Sequence, residues 1–66
     1  MRQWLIDARK SCGLTQKQIG ERIGVRAPTF WAYEHEKITP TVATAKKIAS
    51  VLDIDWMRFY DESQSA

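Results

Sequence analysis

The single cysteine and single histidine of this 66-residue chain are the residues that would most readily form a nucleophile–base pair. Cys12 and His35 show no nucleophile–base arrangement, and neither a Gly-rich phosphate loop nor a spaced set of metal ligands occurs. An enzyme is therefore not expected, nor a cofactor, a metal ion or a small-molecule ligand. The informative residue types are those of recognition. Gln16, Lys17, Arg26, Trp31 and His35 fall in one short stretch, where cations can hold phosphate or a base edge and tryptophan can anchor an interface.

Two short amphipathic helical patterns must position these residues, QKQIGERIGV from Gln16 and RAPTFWAYEH ending at His35, hinged at Gly24. Thr15 is placed to cap the first, with Gln18 three residues on, a capping box that satisfies backbone donors at a helix start. Ile19 and Ile23 share a face, and beside them the bare Cα of Gly20 would let another helix approach closely. Gly24 reads as a left-handed C-cap and Val25 as an apolar plug. The second helix starts near Arg26 or Ala27, with Pro28 in its first turn, where a missing N–H is harmless. Phe30, Tyr33 and Glu34 fall on one side, leaving Ala27, Pro28, Trp31, Ala32 and His35 for the others. Two short helices joined by a glycine turn are a helix-turn-helix motif.

The flanking sequence supplies packing. Leu5, Ala8 and Cys12 recur at helical spacing before Gly13, predicting a first helix within Met1 to Ser11, with Trp4 and Ile6 packing on the C-terminal helix or facing an interface. Thr39 or Thr41 can cap a fourth helix with Pro40 at its start and Val42, Ala45, Ile48, Ala49 and Leu52 on its apolar side. Lys46 and Lys47 adjoin on the outer side, solvated or touching phosphate. Asp55 can cap a short aromatic helix bearing Trp56, Phe59 and Tyr60, and the polar tail from about residue 61 to 66 is expected to fray. With no repeats, low-complexity runs or linkers, the reading is a single all-α domain over residues 1–66.

Composition sets bounds. At 44% hydrophobic and 27% charged the chain is globular in character, and a domain this small buries only about 60% of its unfolded surface. A net charge of +2 permits an anionic partner without demanding one. A lone cysteine cannot form an internal disulfide, and no signal peptide or long apolar run appears, so a soluble, cytoplasmic protein without membrane contact is expected. Cys12 itself is either a redox-sensing or bridging thiol, or a small filler near the end of helix 1.

Taken in order, LTQKQIGERIGV at Leu14 to Val25, TFWAYE at Thr29 to Glu34, ITPT at Ile38 to Thr41 and AKKIASVLDIDW at Ala45 to Trp56 carry a resemblance over nearly the whole chain. The sequence resembles the lambda-repressor-like (Cro/XRE) family of helix-turn-helix DNA-binding domains. That resemblance implies a compact five-helix globule whose third helix enters the major groove of double-stranded DNA, usually as a homodimer. It also implies a structural ion pair between Arg9 and Glu34, tying helix 1 to helix 3. Glu36 stands where the family usually has glycine, so helix 3 is expected to end differently or to run a residue longer.

Carried over by position, the family's base-reading residues fall on Ala27, Pro28 and Ala32, with Arg26 just ahead and Trp31 as a further outward candidate. Gln16 matches a glutamine that holds the DNA backbone; Lys17, Thr29, Lys37 and Thr39 are secondary phosphate candidates, and His35 could touch phosphate, sense pH or simply be solvated. Two alanines and a proline cannot make bidentate hydrogen bonds to bases. Either they meet thymine methyl groups while Arg26 reads guanine, or the surface has become a protein-binding face. An exposed Trp31 would serve either, and a tucked one only the core. Trp56, Met57, Phe59 and Tyr60, with Trp4 or Ile6, are the dimer-interface candidates, although some must complete the core. The leading expectation is a sequence-specific transcriptional regulator of the prophage-repressor or Cro type on a palindromic operator. The alternatives are a protein-interaction module such as an antirepressor or adaptor, or a restriction–modification controller or antitoxin of the same fold.

Overall fold

The computed structural model describes residues 1–61. Five helices and no strand occur among them: α1 (Gln3–Ser11), α2 (Gln16–Ile23), α3 (Ala27–Glu34), α4 (Val42–Leu52) and α5 (Arg58–Asp61). The expected fraying tail lies, beyond Asp61, outside the described residues.

Local chemistry sets most of these boundaries. The Thr15 hydroxyl accepts from the Gln18 amide at 3.1 Å while the Gln18 side chain accepts from the Thr15 amide at 2.9 Å, so α2 opens with a complete capping box. It closes at Gly24, whose φ of +82° is left-handed. The backbone then doubles back, with the Gly24 and Val25 amides both donating to the Gly20 carbonyl. A Cβ on Gly20 would sit 2.6 Å from the Val25 carbonyl oxygen, so this glycine makes room for the turn itself and not for another helix.

The end of α3 also departs from expectation. It stops at Glu34, and Glu36 takes the left-handed position with φ +60° despite having a side chain. The Lys37 amide reaches back to the Ala32 carbonyl at 2.9 Å and that of Glu36 to Tyr33 at 3.5 Å, a Schellman closure in which glycine is the usual occupant. Holding a branched Cα there costs about 1–2 kcal/mol. At α4 the cap is Thr41, accepting from the Thr44 amide. Pro40 is buried outside the helix, and its carbonyl accepts from the Tyr60 hydroxyl at 2.8 Å. Val42, expected inside, is 47% exposed. The last helix is shorter than its aromatic pattern: Asp55 accepts from the Met57 amide, and three-residue turns carry Trp56 and Met57 into α5.

The core joins Leu5 of α1, Ile19 and Ile23 of α2, Phe30 and Tyr33 of α3, Ala45, Ile48 and Leu52 of α4, and Phe59 of α5. Phe59 is 2% exposed, its ring 5.0 Å from that of Trp4 in an edge-on contact. It is therefore withdrawn from the interface candidates, because the core consumes its entire apolar surface. Trp4, one of the residues off the α1 stripe, packs on this C-terminal element. Cys12 is exposed at the end of α1, its sulfur 4.0 Å from the Leu52 carbonyl, so it fills no core space.

Candidate nucleic-acid interface

The site is built on α3, which leans on α2 through Phe30 and is fixed from below by charge. Glu34 is 1% exposed, yet both its oxygens are engaged. Arg9 Nε donates to Oε2 at 2.6 Å, and Gln16 Nε2 donates to Oε1 at 2.8 Å. Arg9 also donates to the Leu14 carbonyl at 2.9 Å, so one guanidinium ties α1, the α1–α2 connection and α3 together. A second arginine, which the sequence pattern did not single out, does comparable work. Arg2 is 4% exposed; its guanidinium donates to the carbonyls of Tyr33 and Ile38 and to the Thr39 hydroxyl, and it lies over the Phe59 ring. An arginine near a chain start normally reads as solvated surface, and no periodicity marks it as an anchor. Burial also pushes the Tyr33 phenol above its ordinary 10.0, and the one charged side chain of α3 is Glu34, paired with Arg9.

With that inner face committed, the outer one is defined. Arg26, Pro28 and Trp31 are exposed, and Ala27, Thr29 and Ala32 are half-buried beside them. Arg26 occupies the N-cap of α3 in extended backbone without capping through its side chain, and among the described residues nothing pairs with its guanidinium. Trp31 is 42% exposed, which removes the core reading. Its ring stacks on His35 at 4.2 Å with the planes 22° apart, so the imidazole that could have been a free surface histidine instead braces the indole. Lys17 and Glu21 of α2 join Val25, Arg26, Ala27 and Pro28 around an open groove at the foot of α3. Glu21 was not anticipated there, since an exposed carboxylate on a helix gives no positional signal.

The phosphate candidates divide. Lys17 and Lys37 are exposed. Gln16 is half-buried, with its amide group turned to Glu34, and Thr39 receives a hydrogen bond from Arg2. Around α5, Met57 is 50% exposed, Trp56 is half-buried with Lys46 over its ring at 5.2 Å, and Tyr60 is partly covered through its bond to Pro40. Among the described residues no helix is long and apolar enough to cross a membrane.

Comparison with known proteins agrees with this geometry. A helix-turn-helix family model of the Cro/C1 type matches residues 5–59. The chain is 41% identical over 49 residues to antitoxin HigA1 of Mycobacterium tuberculosis, covering 74% of this chain but 33% of that protein, so it spans a third of the antitoxin's length. It is 38% identical over 52 residues to an uncharacterized HTH-type transcriptional regulator of Methanothermobacter thermautotrophicus, covering 79% of this chain and 75% of the relative. A likeness of 29% over 62 residues reaches the uncharacterized HTH-type regulator YqaF of Bacillus subtilis. No solved structure matches. With its two hinged helices, its outward α3 and a family match across nearly the whole described chain, this protein belongs to the Cro/C1-type helix-turn-helix family of DNA-binding transcriptional regulators.

Proposed function

We propose that this protein is a sequence-specific regulator of the prophage-repressor or Cro type, which occupies a palindromic operator as a homodimer with α3 in the major groove. The observation that carries the reading is the unpaired Arg26 at the head of α3, on an outer face that the core leaves unused. A guanidinium so placed can make a bidentate contact to the O6 and N7 atoms of guanine. Lys17 and Lys37, with the Thr29 and Thr39 hydroxyls, would take phosphates, and Gln16 would do so by trading or sharing its bond to Glu34. Such contacts set affinity and its salt dependence, not sequence choice.

One short helix touches few base pairs, so useful specificity asks for two copies about one helical turn apart. Met57, with the outer edges of Trp56 and Tyr60, is the proposed dimer contact. The likeness to an antitoxin favours a second reading within the same class, in which the chain represses its own promoter beside a toxin gene; co-purification with the product of the adjoining gene would separate the two. Selection of preferred duplexes from a random pool at near-physiological salt tests the proposal. A two-fold-symmetric site is the expected product, and a pool that stays unenriched would overturn the reading in favour of a protein partner.

A further inference from the structure

The outer face of α3 is short of hydrogen-bonding groups at the positions that would meet bases. Ala27 and Trp31 are four apart, as are Pro28 and Ala32, so they form two adjacent rows along the helix and make one apolar strip. The strip rises about 7.5 Å along the axis, which matches two to three base-pair steps of about 3.4 Å. Its widest member is held in place, since one face of the Trp31 indole is covered by His35 at 4.2 Å. α3 itself carries no lysine or arginine, and Arg26, at its N-cap, stands at the head of the strip.

Apart from the Trp31 indole N–H, the strip presents no side-chain donor or acceptor to the bases. On the major-groove edges, the C5-methyl of thymine is the group that its apolar atoms contact favourably. We propose that the apolar strip of Ala27, Pro28, Trp31 and Ala32 reads pyrimidine C5-methyl groups, so that the operator half-site carries a run of thymines next to the base met by Arg26. This rests on the DNA-binding reading above. It has a consequence that hydrogen-bond readout would not have: 5-methylcytosine substitutes for thymine, because the strip senses the methyl and leaves the exocyclic O4 or N4 to water.

The test uses the full chain and the duplex recovered by selection. Replacing single thymines by deoxyuridine removes only the methyl, and the expected loss of affinity is about fourfold at each contacted position, the worth of burying one methyl. Exchanging a contacted T·A pair for C·G should cost a similar factor, and 5-methylcytosine at the same place should restore binding to within about twofold. Trp31→Ala, at a half-exposed site that can be truncated without opening the core, should abolish the uracil penalty at one position and leave the others. A selected site indifferent to uracil, or one that rejects 5-methylcytosine as it rejects cytosine, overturns the methyl reading while leaving DNA recognition intact. A pool that yields no preferred duplex overturns both.

Discussion

Glu34 is the residue on which the orientation of α3 turns, because a buried carboxylate is tolerable only while Arg9 and Gln16 both hold it. Glu34→Ala leaves Arg9, 11% exposed at its side chain, without its counter-charge. The expected cost is about 3–5 kcal/mol, read as a fall in the urea midpoint at unchanged m-value. Gln16→Ala strands one oxygen of the Glu34 carboxylate without its donor but leaves the counter-charge in place, and should cost less, about 1.5–3 kcal/mol. Glu36 offers the opposite sign. Its left-handed backbone is strained by its side chain, so Glu36→Gly should stabilise by about 1 kcal/mol after the entropy glycine brings to the unfolded chain. Thermal unfolding would show the midpoint rising.

At the scale of elements, α2 and its turn depend on the absence of one side chain. Gly20→Val would drive a branched group into the Val25 carbonyl, which belongs to backbone and cannot swing aside. A loss of about 1–3 kcal/mol is expected, with α3 displaced, so operator affinity should fall further than the fraction unfolded accounts for. A variant that binds the operator at wild-type strength per folded molecule would contradict this coupling. The start of α2 was legible because capping boxes and apolar spacing are local signals, and Thr15, Gln18, Ile19 and Ile23 all point the same way. The end of α3 was not, since a tertiary arrangement that includes Arg2 across the following loop enforces a conformation that Glu36 alone would avoid. For the same reason the aromatic cluster did not sort itself: Phe59 and Met57 are two apart in sequence, and only packing against Trp4 sends one inward and the other out. In the candidate site, resemblance marks the positions, but the Trp31–His35 stack and the unengaged Arg26 arise from side-chain placement that no local spacing signals.

For the molecule as a whole, the proposal divides the surface between an α3 face for DNA and an α5 end for a second copy. Met57→Glu should leave the helical circular dichroism unchanged, as its side chain is half in solvent. In the proposed dimer it would bury a charge, weakening self-association by about tenfold or more in sedimentation equilibrium. Operator affinity should drop with it, toward that of a lone half-site. A Met57→Glu protein that remains dimeric would move the interface elsewhere. The most direct measurement is titration of the selected duplex and of a scrambled duplex of equal composition at near-physiological salt, with wild type and Arg26→Ala. Wild type should favour the selected duplex by about a thousandfold or more, and Arg26→Ala should lose about 1–3 kcal/mol by accepting any base at one position per half-site. Equal binding of both duplexes, lost together as salt is raised, would contradict sequence-specific recognition.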